Sequence, residues 1–322
     1  MIDHSFNGPH TARRFTTRLS QLTRGRCLAI QPRLAPQSPF PAALIDLLYA
    51  YLNLLYPVQG SVHAAVPPSK ITLAGDSSGA CLCLSLVQVI LATQRAQGSP
   101  SPIVLFNGRR VSLPMPAGIA TVSAAPDQTL ALPSFKANGE TDTLGGTMPM
   151  LRPDYPACDI WPCDPPRGQV YCETSAVCHP LVSPTSATSW KGAPPMYFAA
   201  GLGERLVDSV KVIARNAAMQ EVVVQWDGFE LMPHIWPLLF RSWPQTDWCC
   251  QRVASACMEF SNGAPTERSK TLHLDGSESD GPDLRELTKL DMDTVKALMR
   301  SQQSGMKDIV RPTSSPSSRA KL

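Results

Sequence analysis

The sequence predicts an α/β fold with a doubly wound, mostly parallel sheet. Short apolar segments typical of strands alternate with longer helical segments along most of the chain. The 322 residues, of which 43% are hydrophobic, are enough to bury a substantial core. A Gly/Ser-rich turn also joins one predicted strand directly to an apolar helix at residues 75–79. Together, these three observations predict parallel strands that are connected by helices.

The first two helices are predicted by apolar spacing. The segment 11–25, TARRFTTRLSQLTRG, predicts a helix that ends at Gly25, before a short buried strand over 27–31, CLAIQ. Prolines between residues 32 and 41 predict an extended loop. From Pro41 onwards, the period becomes helical and places four apolar residues on one face: Ala43, Leu47, Tyr51 and Leu54.

The later elements repeat a strand–helix pattern. Strands are predicted over 70–75 (KITLAG), 194–201 (PPMYFAAG) and 221–226 (EVVVQW), and a turn is expected at Asp227-Gly228. Helices are predicted over 79–96 and from about Leu206 to Met219. Strands and helices of these lengths indicate a parallel sheet with helical crossovers.

Composition divides the chain into two parts. Residues 1–262 are interpreted as the α/β domain, in which residues 100–195 are Pro/Gly-rich and are expected to form a loop-rich region around the substrate pocket. Residues 263–322 are interpreted as a polar C-terminal extension with one helix over 287–302, LTKLDMDTVKALMRSQ, and a flexible tail.

Charge and cysteine spacing exclude several classes of function. The formal net charge is only +3 and no Lys/Arg run is present, so no nucleic-acid partner is expected. The ten cysteines fit no metal-binding pattern, and neither a metal nor an organic cofactor is expected. No N-terminal secretory signal and no uninterrupted apolar stretch of about 18–20 residues is found, so no membrane span is expected.

The last three residues predict a cellular location. Ala320, Lys321 and Leu322 follow a Ser/Pro/Arg-rich segment and have the small–basic–Leu pattern of a peroxisomal import signal. We therefore expect recognition by the peroxisomal import receptor, with a cytoplasmic location as the alternative.

The strongest local motif is Gly-x-Ser-x-Gly at Gly75–Gly79. A nucleophilic hydroxyl is held out at a sharp strand-to-helix turn, and small neighbours are needed where the backbone is strained. The apolar strand before the turn and the apolar helix after it match this requirement and nominate Ser77 as the nucleophile. A Gly/Ser loop without chemistry and a phosphate-binding loop are the alternatives, although no GK[ST] or GxGxxG spacing follows.

A serine nucleophile requires a base and an acid that orients it. His234 follows the strand 221–226 and is the favoured base, because His179 precedes the acid candidates and follows no evident strand. Glu204 lies in the loop directly after the strand 194–201 and is the favoured acid. Asp208 is the alternative acid, although it is expected to lie one turn into the following helix.

Together these motifs resemble the hormone-sensitive-lipase-like branch of the α/β hydrolases. Gly75–Gly79 resembles the GDSAGG segment of that branch, and Arg33–Pro36 with Pro39–Ala43 resembles its YRLAPE-type segment about forty residues earlier. Gly203–Asp208 is similar to its DPLxDE segment, and Met232–His234 is similar to its GMxH segment. The resemblance extends over about residues 15–240 and is greatest to the fungal members.

The resemblance implies an α/β-hydrolase fold and a catalytic triad of Ser77, Glu204 and His234. It also implies that the backbone N–H of Ser78 contributes to an oxyanion hole. The HGGG segment that supplies most of this hole in the branch is not found upstream of Arg33. We therefore expect an N-terminally truncated form of the fold with a Pro-rich mid-chain insertion.

The implied function is hydrolysis of a carboxylic ester, or a related acyl bond, of a small or fatty-acyl substrate. A hydrolase-like remnant with an incomplete oxyanion hole is the alternative, and a lyase or acyltransferase that uses the same triad is a third reading. The branch and the C-terminal tripeptide together resemble fungal peroxisomal hydrolases of secondary metabolism. These include enzymes for host-selective toxins built on an epoxy-decatrienoic acid.

Overall fold

The computed structural model of the protein describes residues 9–147, 149–152 and 154–310. Its helices are α1 (Pro9–Thr23), α2 (Ala42–Leu55), α3 (Ser77–Gln97), α4 (Pro133–Ala137), α5 (Val207–Ala218), α6 (Trp236–Leu239), α7 (Pro244–Ser261) and α8 (Met292–Gly305). Its strands are β1 (Thr72–Asp76), β2 (Ile103–Phe106), β3 (Arg109–Ser112), β4 (Gly118–Val122), β5 (Met196–Gly201), β6 (Val224–Phe229), β7 (Arg268–Leu272) and β8 (Glu278–Asp280).

Six of these strands form one sheet in the order β1-β4-β5-β6-β7-β8. The first five are parallel, and β8 pairs antiparallel with β7. Strands β2 and β3 form a separate antiparallel hairpin. Parallel neighbours need long crossovers, and α3, α5 and α7 lie within three of them. The predicted doubly wound, mostly parallel sheet is confirmed.

The central strands bury side chains on both faces of the sheet. In β5, Met196 and Phe198 pack into a core that contains residues of α2, α3 and α5. The alternate residues Tyr197 and Ala199 pack into a second core that contains residues of α1 and α7. Successive side chains of a strand point to opposite faces, so one apolar segment supplies both cores.

Helix α3 follows the Gly/Ser turn and is apolar on most of its surface. Residues from Ser78 to Leu91 are buried with one exception, Val89. By length and composition α3 could cross a membrane, but 72% of its most apolar window is buried inside the fold. This burial is typical of the core helix of a folded domain, and it anchors the turn that carries Ser77 to the sheet.

Two sequence expectations about local structure are wrong. The segment 27–31 contains only a single β-bridge residue, Ile30, and Leu28 is 53% exposed, so it is not a buried strand. Asp227-Gly228 lies inside β6 rather than in a turn. An Asp-Gly pair favours a turn when the carboxylate is solvated. Here the Asp227 carboxylate is buried and accepts a hydrogen bond from Tyr197 Oη at 2.9 Å.

The sheet also includes strands that the sequence patterns did not reveal. Strand β4 lies within the Pro/Gly-rich region 100–195 and pairs with both β1 and β5. Strands β7 and β8 lie beyond residue 262, in the polar region where only a helix was predicted. That helix is present as α8. The domain division at residue 262 stays a prediction of organisation, while the sheet itself continues to Asp280.

Candidate active site

The candidate site lies where four parallel strands end. Ser77 follows β1, and Ser123 follows β4. Glu204 lies three residues beyond β5, and His234 lies five residues beyond β6. The carboxyl ends of parallel strands meet at one edge of a sheet, which is where α/β proteins place their ligand sites. Residues separated by more than 150 positions thereby become neighbours.

The turn that carries Ser77 has the geometry of a nucleophile elbow. Ser77 has a φ of +46°, in the left-handed region that non-glycine residues rarely adopt. A Cβ atom on Gly75 would lie 2.5 Å from the backbone carbon of Gly79 and 2.6 Å from the nitrogen of Ala80. The strand therefore approaches the start of α3 too closely for any side chain at position 75. This contact explains in physical terms why the motif needs glycine there.

Ser77, His234 and Glu204 form a continuous hydrogen-bonded relay. Ser77 Oγ lies 2.8 Å from His234 Nε2, and His234 Nδ1 lies 3.2 Å from Glu204 Oε2. A carboxylate only accepts, so Nδ1 carries the proton and Nε2 is free to accept the hydroxyl proton of Ser77. The histidine and glutamate side chains are 5% and 1% exposed, whereas Ser77 is half-buried. Glu204 is thus shielded from water, while Ser77 keeps part of its surface exposed.

Burial and mutual attraction set the ionisation of this pair. Burial raises the pKa of Glu204 above its ordinary value, although hydrogen bonding and attraction to His234 partly offset that rise. Burial is the largest single influence on the pKa of His234 and acts to lower it, whereas the hydrogen bond and the charge of Glu204 act to raise it. With smaller contributions from Asp142 and Asp76, the net pKa of His234 is raised. This arrangement favours the protonated form of the imidazole.

A second serine completes the surroundings of the acid. Glu204 Oε1 accepts hydrogen bonds from Ser123 Oγ at 2.8 Å and from the backbone N–H of Gly201 at 2.6 Å. Ser123 Oγ in turn accepts the backbone N–H of Ile235 at 2.9 Å. The sequence analysis did not identify Ser123, since strand β4 was not recognised. The signal was the short apolar segment GIATV, placed between Pro116 and Pro126.

Backbone strain is concentrated at the same edge of the sheet. Of the eight non-glycine residues with positive φ in the described part of the chain, four lie at the site: Ser77, Ser123, Leu231 and Ile235. Ile235, at φ +50°, is the most unfavourable of these because it is β-branched. Such conformations persist only where surrounding contacts enforce them, and they are common in active sites.

The other candidates lie elsewhere. Asp208, the predicted alternative acid, contacts α4 rather than His234: its Oδ2 accepts the backbone N–H of Ser134 at 2.8 Å. Position 208 is in the first turn of α5, which directs its carboxylate to this capping role. His179 is exposed, and its Nδ1 accepts the backbone N–H of Leu181 at 3.2 Å.

Ser78, the predicted oxyanion donor, is buried in the first turn of α3. The N–H groups in the first turn of a helix point outward beyond its N-terminus, which is the direction that an oxyanion donor requires. In the described ranges, no cluster of three or more His, Cys, Asp or Glu side chains is arranged to hold a metal ion. The absence of a cofactor stays a prediction.

The fold and this geometry define a class, namely α/β proteins with a serine, a histidine and a carboxylate aligned at a strand–helix elbow. Comparison with known families agrees with this class. The chain matches the α/β-hydrolase fold family over residues 5–238 and belongs to it.

The sequence identity to individual relatives is low, but the matches cover most of this chain. The chain is 25% identical to an acetyl-hydrolase of Streptomyces hygroscopicus over 72% of this chain, and 26% identical to an esterase of Acinetobacter venetianus over 73% of it. It spans 64% of the length of each of these relatives. A hormone-sensitive lipase from a metagenome library has a similar structure, with a TM-score of 0.62, 24% identity, and coverage of 81% of this chain and 76% of that one. The resemblance to the hormone-sensitive-lipase-like branch is thus confirmed at the level of fold.

Proposed function

We propose that this protein is a carboxylic-ester hydrolase in which Ser77 is the nucleophile, His234 the general base and Glu204 the acid that orients it. The observation that carries the proposal is the relay from Ser77 Oγ to His234 Nε2 at 2.8 Å and from His234 Nδ1 to Glu204 Oε2 at 3.2 Å. Relatives named acetyl-hydrolase and esterase support the same chemistry.

The proposed reaction has two steps. Ser77 Oγ attacks the ester carbonyl, its proton passes to His234 Nε2, and the carbon–alkoxy bond breaks as that proton moves to the leaving alcohol. Water then attacks the acyl-serine, gives its proton to His234, and releases the carboxylic acid as the proton returns to Ser77 Oγ. Glu204 stays ionised throughout and stabilises the imidazolium ion that forms in each step.

The oxyanion is the second requirement of this mechanism. The backbone N–H of Ser78 follows the nucleophile directly and is the proposed donor to the negative oxygen of the tetrahedral intermediate. A preorganised donor of this kind contributes about 3 kcal/mol to the stabilisation of the transition state. The position of Ser78 at the start of α3 adds the positive end of a 21-residue helix to this effect.

Hydrolysis of p-nitrophenyl acetate by the full chain tests the proposal. Ser77→Ala removes the nucleophile, and we expect kcat to fall by at least about 10⁴-fold. Ser301→Ala is the matched control, because Ser301 is exposed on α8 and far along the chain from the relay. Turnover that is the same in Ser77→Ala and the wild type would reject the assignment.

A catalytically impaired hydrolase is the second candidate. In this candidate, no further oxyanion donor supplements the N–H of Ser78. Loss of one such donor typically lowers kcat by about 10²–10³-fold. A fluorophosphonate probe separates the two candidates in combination with turnover. An active hydrolase is labelled by the probe at Ser77 and, without the probe, hydrolyses the ester. An impaired one is labelled slowly or not at all and hydrolyses no ester.

The cellular setting stays a prediction. Ala320, Lys321 and Leu322 lie outside the described residues, so peroxisomal import is supported by their sequence pattern alone. A fluorescent protein fused before Met1 should enter peroxisomes, and the same fusion with Leu322 deleted should remain in the cytoplasm. A role in fungal secondary-metabolite or toxin biosynthesis is supported only by the combination of branch resemblance and tail. Loss of the metabolite in a gene-deletion strain would test it.

A further inference from the structure

We propose that Asp142 is a positioning residue of the active site. Its carboxylate fixes the loop that follows β5 and carries Glu204, the acid-bearing loop, relative to the loop that follows β6 and carries His234, the histidine-bearing loop. The proposal rests on the proposed function, because its effect is exerted through Glu204 and His234. Asp142 does not touch the hydroxyl of Ser77 in this arrangement, so its role is to place the relay and not to react.

The two oxygens of Asp142 reach different loops. Oδ2 accepts the backbone N–H of Arg205 at 2.6 Å, next to the acid in the chain. Oδ1 accepts the backbone N–H of His234 itself at 2.7 Å. One rigid group thus joins the backbone beside Glu204 to the backbone of the base. A shift of the carboxylate would change the separation between the two loops.

Neighbouring residues strengthen the same connection. We call residues 138–143 the clasp, since polar side chains along it hold both loops. Asn138 Nδ2 donates to the carbonyl of Glu204 at 2.7 Å, and Thr141 Oγ1 donates to the carbonyl of Gly203 at 2.9 Å. On the other side, Thr143 Oγ1 donates to the carbonyl of His234 at 3.2 Å.

Arg205 holds the clasp from the acid-bearing loop. Its guanidinium donates to the backbone carbonyl of Phe135 at 2.5 Å and to that of Gly139 at 3.0 Å. The acid-bearing loop is therefore tied to this segment in both directions, through its own N–H and carbonyl groups and through a side chain. The described contacts join three parts of the chain around the relay: the clasp, the acid-bearing loop and the histidine-bearing loop.

The chemistry of the bridge requires a carboxylate. The N–H groups of Arg205 and His234 converge on one half-buried side chain, which also accepts the N–H of Leu144 at 3.2 Å, and only an ionised carboxyl has two oxygens that both accept. Asparagine has nearly the same shape, but it would present an NH₂ group to at least one of these donors. Asp142 also places a negative charge near the imidazole. Glu204, Asp142 and Asp76 are the charged groups whose attraction raises the pKa of His234.

The test compares Asp142→Asn with Glu140→Gln in the full chain. Glu140 is an exposed carboxylate of the clasp, and its substitution is expected to leave kcat and KM unchanged. For Asp142→Asn we expect kcat to fall by about 10- to 100-fold with little change in KM, because small displacements of catalytic groups affect the chemical step. The midpoint of the acid limb of kcat should also move to lower pH, which a loss of stability alone would not cause.

Thermal unfolding of each variant shows whether the fold survives. If Asp142→Asn unfolds below the assay temperature, Thr143→Val replaces it, because it removes the bond to the His234 carbonyl from the same segment. With an active wild type, an Asp142→Asn variant that keeps its kcat and its pH midpoint, or a Thr143→Val variant that keeps its kcat, overturns the positioning role alone. A wild type with no Ser77-dependent hydrolysis overturns the proposed function, and this proposal with it.

Discussion

Ser123 Oγ lies 2.8 Å from Glu204 Oε1, and the same hydroxyl accepts the backbone N–H of Ile235 at 2.9 Å. One side chain at the end of β4 therefore contacts the acid and the residue that follows the base. Ser123 and Ile235 both have positive φ, at +47° and +50°. The contact holds two strained segments against each other, and it fixes which oxygen of Glu204 remains for His234.

Replacing Ser123 should weaken catalysis without removing it. Ser123→Ala takes one of two donors from Glu204 Oε1 and leaves the N–H of Ile235 without its acceptor. A hydrogen bond to a charged group contributes about 1.5–3 kcal/mol, so we expect kcat to fall by roughly 10-fold and the thermal midpoint to fall as well. Ser301→Ala serves again as the control in ester hydrolysis and thermal unfolding. A Ser123→Ala protein with wild-type kcat would contradict this reading.

The identity of the acid can be tested by two matched amide substitutions. Glu204→Gln keeps the shape of the side chain but removes the charge beside His234, and we expect kcat to fall by about 10³–10⁴-fold. Asp208→Asn keeps an oxygen for the backbone N–H of Ser134 and should change kcat little. Steady-state hydrolysis of p-nitrophenyl acetate measures both. The reverse pattern, with the larger loss in Asp208→Asn, would restore Asp208 as the acid.

The pH dependence of the reaction follows from the raised pKa of His234. The base must be neutral to accept the hydroxyl proton, so kcat/KM should rise with pH through a midpoint above the ordinary value of 6.5. In Glu204→Gln the stabilising charge is absent while burial remains, so the midpoint should move downward. Rates between about pH 4 and pH 9 measure this shift. A midpoint that is the same in both proteins would show that Glu204 does not set the ionisation of the base.

Gly201, the last residue of β5, lies against the backbone of Met232, two residues before His234. A Cβ atom there would lie 2.1 Å from the carbonyl oxygen of Met232, which is backbone and cannot rotate away. We expect Gly201→Ala to cost about 1–3 kcal/mol of stability, or roughly 2–10 °C in Tm, and to reduce kcat as the loops separate. Gly146→Ala is the control, since nothing lies within 4 Å of its Cβ position. Equal Tm values for the two variants would contradict the close approach.

Much of the architecture could be predicted from local pattern. Strand β1, the elbow and α3 follow each other within 26 residues, and their apolar runs and small residues specify that geometry by local contacts alone. The helix α2 was predicted for the same reason, because its apolar period is helical, and α1 and α5 were also predicted from their local sequence. Strands β4 and β7 were missed, since a short strand in a proline-rich or polar region has no period long enough to recognise.

The sequence by itself determined the serine, its elbow and the order in which base and acid candidates occur. The sequence favoured Glu204 over Asp208, and the tertiary structure showed that Glu204 contacts His234 whereas Asp208, one turn of helix further on, contacts the start of α4. The tertiary structure also placed Ser123 in contact with Glu204, 81 positions away in the chain, and Asp142 in contact with His234, 92 positions away. Contacts over such distances depend on which strands are adjacent in the sheet, and no local pattern encodes that adjacency.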